Sequence, residues 1–179
     1  DDGWNTHTIG HHLQTSVCML YAGAVVDSIA KAGRKLAAEF AVLRTRDFER
    51  KGIPRQSLSD LIVAGVWEKI GHGLYASAIL PPGAHRSLLE VAQQSPRAVV
   101  CLLSALRFHE LTTETPSEVW IALPRNQRAP RVPTVQIKVV RLSGGAFTEG
   151  IEERRIEGVP LRVYSVAKTV ADCFKFRNQ

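Results

Sequence analysis

Residues 43–77, LRTRDFERKGIPRQSLSDLIVAGVWEKIGHGLYAS, leave few local folds open. They read as two short helices in tandem followed by a tight β-hairpin. Thr45 is expected to cap the first helix, with Asp47 and Glu49 suiting the positive end of its dipole. Gly52 stands where a C-terminal residue with positive φ is wanted, which limits that helix to about two turns. Ile53-Pro54 reads as the turn, and Pro54 suits a first helical position that needs no N–H donor. Leu58, Leu61 and Ile62 then recur at i, i+3 and i+4, the spacing of one apolar stripe, and Gly65 ends the second helix. Val66 to Ile70 reads as a strand, Gly71-His72-Gly73 as a turn and Leu74 to Ser77 as the return strand.

This is the layout of a winged helix-turn-helix, whose commonest task is to grip duplex DNA. Arg55, Gln56, Ser59 and Asp60 fall off the stripe, toward solvent or a groove, and a recognition helix reads base edges with its N-terminal residues. Arg44, Arg46, Lys51 and Lys69 would contact phosphates. Lys69 and His72 are expected near the tip of the wing. The expected DNA-binding set is thus Arg44, Thr45, Arg46, Arg55, Gln56, Ser57, Ser59, Lys69 and His72. The competing reading is a protein-interaction module whose Arg44, Arg46, Arg50, Lys51 and Arg55, mixed with Asp47 and Glu49, form an ordinary solvated face.

The 179-residue length allows one medium domain or two small ones, and the net charge of +6 favours an anionic partner. Cys18, Cys101 and Cys173 stand far apart. The latter two lie in apolar surroundings and read as buried thiols rather than ligands or disulfide partners. The longest apolar run, Val17 to Val26, falls well short of the ~20 residues that cross a bilayer. No signal peptide is visible, so the expected compartment is the reducing cytoplasm, with no membrane role.

Residues 1–26 read as an N-terminal extension. Leu13, Val17, Leu20, Tyr21 and Ala24 have helical spacing there, and His7, His11 and His12 could share a helix face. No acidic or cysteine partner lies nearby, so solvated histidines are expected and not a metal site. Ser28 to Phe40 is a clearer helix, the first of the winged domain at residues 27–78, and Val42-Leu43-Arg44 would supply the third strand of the wing sheet. Ile79-Leu80-Pro81-Pro82-Gly83 reads as a linker.

Residues 84–179 form the second expected domain, a mixed α/β unit. Arg86 to Gln94 reads as a helix. Ser95-Pro96 would open another from Arg97 to His109. Val119 to Leu123 and Val135 to Leu142 are strand-like, with a basic loop carrying Arg125, Arg128 and Arg131 between them. Arg154 to Ile156 and Leu161 to Tyr164 flank a hairpin turn at Glu157-Gly158. Ser165 would cap a last helix, Val166 to Phe176. Arg125, Arg128 and Arg131, with Arg154, Arg155 and Arg162, suggest a second basic face that braces DNA or holds a partner protein. A solvated surface is the plainer account. The fold class expected is α+β, a winged helix-turn-helix followed by this mixed domain.

Three separated motifs occur in order: the segment ending in GHGLYAS, then AVVCLLSALRFHELTTETPSEVWIALPRN, then GVPLRVYSVAKTVADCFKFR. Together, over residues 27–177, they resemble the AbiEi-type antitoxins of type IV toxin–antitoxin (abortive infection) systems. The resemblance implies a regulator that binds repeats in its own promoter and represses its operon. It also implies antagonism of a partner nucleotidyltransferase-like toxin. Two departures stand out: residues 1–25 match nothing in the family pattern, and relatives usually continue beyond Phe176-Arg177 through further helices, which leaves open a truncated C-terminal domain or a degenerate copy.

Two other function classes stay open. One is a stand-alone winged-helix regulator whose second domain senses a ligand or dimerises. The other is an enzyme using Ser165-Val166-Ala167-Lys168, which has the S-x-x-K spacing that sets a hydroxyl and an amine one helical turn apart. The companion S-D-N and K-T-G elements are absent, as are G-x-G-x-x-G and Walker A loops. His109 suits the end of a helix better than a catalytic role. The expectation is therefore a non-enzyme without a cofactor, with duplex DNA as its partner and a cognate toxin as the second.

Overall fold

The computed structural model describes residues 27–177. The readings made at His7, His11, His12 and Cys18, and the helix expected near Leu13 to Ala24, lie outside the described residues. The fold is mixed α+β, with helices around two sheets.

Helix α1 occupies residues 27–39. Strand β1 (Val42–Arg44), helix α2 (Thr45–Arg50), a 3-10 turn (Arg55–Ser57) running into α3 (Leu58–Val63), and the hairpin β2 (Trp67–Gly71) and β3 (Leu74–Ser77) follow. The three strands make an antiparallel sheet in the order β1-β3-β2. Gly52 at φ 82° and Gly65 at φ 66° end α2 and α3 in the left-handed conformation that glycine adopts without a Cβ penalty.

Phe48 forms the centre of this half. It is fully buried, and it meets Trp67 at 4.8 Å and Tyr75 at 5.7 Å between ring centroids, edge to face. Trp67 Nε1 donates to the carbonyl of Gly33 on α1 at 3.1 Å. Helix α3 packs so closely there that a Cβ on Gly33 would lie 2.5 Å from Leu61 Cδ2. Leu36, Ile53, Leu58 and Leu61 complete the cluster.

Three local readings change. Thr45 does not cap α2. Arg44 holds the cap position, and the Asp47 carboxylate reaches back to accept from its backbone N–H at 3.1 Å. Pro54, extended at φ −63° and ψ 147°, precedes the second helix rather than opening it. Gly71 ends β2 instead of joining the turn, which narrows to His72-Gly73 after a register shift between Lys69 and Gly71.

After the irregular residues 78–83 come α4 (Arg86–Gln94), β4 (Val99–Val100), α5 (Leu102–Phe108), β5 (Val119–Pro124), β6 (Ile137–Leu142), α6 (Gly145–Thr148), β7 (Ile151–Ile156), β8 (Val159–Tyr164) and α7 (Val166–Lys175). The five strands order as β6-β5-β4-β8-β7. Pairs β5/β6 and β4/β8 are parallel, and β4/β5 and β7/β8 antiparallel. The expected helix Arg97 to His109 is a correction: its first part is strand β4, the centre of the sheet. Val99 and Val100 are β-branched, and β5 and β8 satisfy their backbone groups from both sides.

The two sheets share a core. Ala41, Val42, Ile70, Leu74 and Ala76 pack in one cluster with Leu89, Val91, Ile121, Leu123, Val132 and Val159. The Ala41 N–H donates to the carbonyl of Glu157 at 3.1 Å, and Gln93 Nε2 to that of Val42 at 2.9 Å. Among the described residues, no helix is long and apolar enough to cross a membrane.

Candidate nucleic-acid interface

Leu58 and Leu61 fix the orientation of α3. Both are buried on the Phe48 side, a burial that contributes roughly 1.5–3 kcal/mol for each side chain. Residues off that stripe therefore face outward: Arg55, Gln56, Ser59 and Asp60 are all exposed. Strand β2 runs beside them, and its exposed Lys69 pairs across the hairpin with Tyr75. Arg55, Gln56, Ser59, Ile62, Lys69 and Tyr75 line one open depression of about 560 Å³ together with Leu58, and none of these residues is acidic.

This face carries hydrogen-bonding groups and positive charge. Arg55 and Lys69 offer only donors and a fixed positive charge, and Gln56 offers both a donor and an acceptor. Ser59 donates its hydroxyl to the carbonyl of Gln56 at 2.9 Å and keeps acceptor capacity. Tyr75 joins them at the edge of the Phe48 cluster, 9% exposed. The sequence reading missed Tyr75, because an aromatic residue in an alternating strand is read as core.

The other expected contacts divide. Arg46 and Lys51 are exposed, and Lys51 Nζ sits 4.1 Å from the centre of the Phe40 ring. His72 is exposed at the hairpin turn, while Lys69 lies back from the tip, beside α3. Thr45 is half-buried, and its N–H donates to the Gly73 carbonyl at 3.1 Å. Ser57 is buried, 8% exposed, so it does not stand with Arg55 and Gln56 on the open face. Arg44 is committed to Asp47, its Nε 3.1 Å from the carboxylate.

The second basic face does not form one patch. Arg154 pairs with Glu152 at 2.7 Å, Arg155 donates to the Gly158 carbonyl at 3.1 Å, and Arg162 lies 3.7 Å from Glu153. They belong to the β7–β8 hairpin at one edge of the sheet, whereas Arg125, Arg128 and Arg131 follow β5 and lie toward the other. Arg128 and Arg131 instead share a concavity with Arg97, a residue expected on a helix. The signal for Arg97 is weak: an isolated arginine after Ser95-Pro96 suits a helix start equally well.

Ser165 caps α7, its hydroxyl accepting from the Lys168 N–H at 3.4 Å, and Lys168 Nζ lies 2.7 Å from Asp172 Oδ2. His109 terminates α5, with Nε2 2.7 Å from the Tyr164 carbonyl. Burial, and then the nearby Asp172 charge, push the Cys101 thiol far above its usual range. Among the described residues no group of three His, Cys, Asp or Glu side chains is placed to hold a metal.

No curated protein matches the chain. Residues 34–78, from within α1 to just past β3, match the family model described as transcriptional regulator, AbiEi antitoxin, which is the family that the sequence motifs resemble.

Proposed function

We propose that this protein is a DNA-binding transcriptional regulator of the antitoxin kind, with residues 27–78 acting as a winged helix-turn-helix and residues 84–179 as a second, mixed α/β domain. At the coarse level, the family match supports a transcriptional regulator or antitoxin. The observation that carries the DNA-binding reading is the acid-free depression shared by Arg55, Gln56, Ser59 and Lys69 within the matched segment. In this reading the start of α3 enters the major groove, the β2–β3 hairpin lies along the backbone, and Arg46 and Lys51 touch phosphates. The test is duplex binding to DNA from upstream of its own gene, measured across salt concentrations. Affinity that falls steeply with salt supports the reading; salt-independent binding, or none, overturns it.

Repression of its own operon and antagonism of a nucleotidyltransferase-like toxin extend the proposal, on the strength of the family resemblance. Co-expression with the product of the neighbouring gene tests the second part, since rescue of growth is expected. The protein works in the cytoplasm and without catalysis: Ser165 serves as a helix cap, and Lys168 is held by Asp172. A serine-directed activity probe that labels Ser165 would overturn the non-catalytic assignment. A stand-alone regulator with a ligand-sensing second domain is the alternative reading, and the concavity around Arg97 favours it.

A further inference from the structure

We propose that the concavity between the α4–β4 connection and the β5–β6 loop binds a phosphate-bearing anion, an oligophosphate or a phosphorylated small molecule. Arg97 comes from one wall, Arg128 and Arg131 from the other, around a volume of about 550 Å³. That size lies in the range of small-molecule sites. No acidic residue lines it. Three arginines line it without a carboxylate, and an anion bound among them would offset their like charge. The planar fork of arginine matches phosphate oxygens two at a time.

The walls are tied together. Gln127 Nε2 donates to Ser95 Oγ at 3.1 Å, which joins the loop to the end of α4. Arg141 Nη1, from β6, donates to the Pro124 carbonyl at 3.0 Å and also to that of Gln127, which fixes the path of the loop. Val132 anchors the far end of the loop in the shared core, and Thr134 donates to the buried Glu90 on α4 at 2.6 Å. The arginines thus project from a braced frame, and a pre-organised site loses less entropy when a ligand orders it. Arg154 and Arg155, by contrast, are already engaged within their own hairpin.

Phosphate groups come from two sources, a free oligophosphate or a nucleic-acid backbone. The free anion is the source proposed, and titrating each source in turn distinguishes the two. The site is independent of the DNA-binding reading, because triphosphate is titrated with no DNA in the cell.

The experiment is calorimetric titration of the full chain with inorganic triphosphate at constant ionic strength, beside titration with a duplex of unrelated sequence. Binding of triphosphate is expected, and Arg97→Ala, Arg128→Ala and Arg131→Ala should each weaken it about tenfold. Arg125→Ala, in the same loop but outside the concavity, should leave it unchanged. Arg128→Lys keeps the charge but loses the fork, and should still weaken binding. Failure of triphosphate to bind overturns the site, as does an equal loss in Arg125→Ala. Variants that lose only duplex affinity would assign the arginines to the backbone source and overturn it too. Unaltered thermal transitions in all variants, expected for exposed side chains, keep these outcomes interpretable.

Discussion

Arg55 and Gln56 differ from Arg44 and Ser57 in where their side chains are free to go. Both are exposed at the entry to α3, while Arg44 is drawn into an ion pair with Asp47 and Ser57 is buried. Replacing Arg55 or Gln56 with Ala should cost about 1–3 kcal/mol on the cognate site and much less on random DNA. Affinities for both duplexes measure this, and equal losses would reduce the pair to phosphate contacts. The chemistry of Cys101 is likewise set by placement. Its raised pKa keeps the thiol neutral well into alkaline solution, and a neutral thiol is a poor nucleophile. In the native protein at pH 8, Cys101 should resist alkylation that proceeds after unfolding in urea. Peptide mapping by mass spectrometry would show a prompt native-state adduct if this were wrong.

At the scale of the element, the short helices depend on their tertiary partners. Helices α2 and α3 have only six residues each, far below the ~12–15 at which an isolated helix becomes even marginal in water. The capping box of α2 and the Phe48 cluster hold them. The basic residues on and around them give a collective prediction. Each of Arg46, Lys51 and Lys69 that neutralises a phosphate should, on replacement by Ala, flatten the salt dependence of duplex binding by about one unit. Binding isotherms across salt concentrations read the slope. The β7–β8 hairpin carries a different constraint. Glu157 at φ 47° and Gly158 at φ 75° make its turn, and a Cβ on Gly158 would stand 2.9 Å from the backbone carbonyl of Glu39. Gly158→Ala should therefore destabilise the protein by about 1–3 kcal/mol. Urea denaturation tests this, and an unchanged midpoint would show that the end of α1 yields freely.

Across the whole molecule, the halves are joined by apolar packing as well as by chain. Ile70 and Leu74 of the hairpin lie in one cluster with Leu89, Ile121, Leu123 and Val132. Removing residues 84–179 would expose that side of the small sheet to water, so the isolated N-terminal segment should be less stable than the same segment in the intact chain. For the same reason, urea should unfold the intact protein in one cooperative step, with circular dichroism and tryptophan fluorescence coinciding. Two separated transitions would mean that the halves unfold independently.

The local features legible in the sequence each rest on interactions within a few residues. The α3 stripe follows from the spacing of Leu58, Leu61 and Ile62, and the β7–β8 turn from Glu157-Gly158. The cap at Ser165 follows from a hydroxyl at the mouth of a periodic segment. Long-range contacts settled the rest. Val99 and Val100 carry a pattern that fits a buried helix or a buried strand equally well, and they become strand because β5 and β8 arrive on both sides. Thr45 has the better side chain for a cap, but the antiparallel pairing of β1 with β3 places Arg44 in the capping position, where Asp47 can reach it. The depression joining Arg55 to Lys69 combines α3 with a strand, and the concavity joining Arg97 to Arg128 and Arg131 combines two connections far apart in the chain. Periodicity and turn chemistry carry no information about which distant residues meet; packing a shared core does, because burying Val42, Ile70 and Leu123 together fixes where their polar neighbours stand.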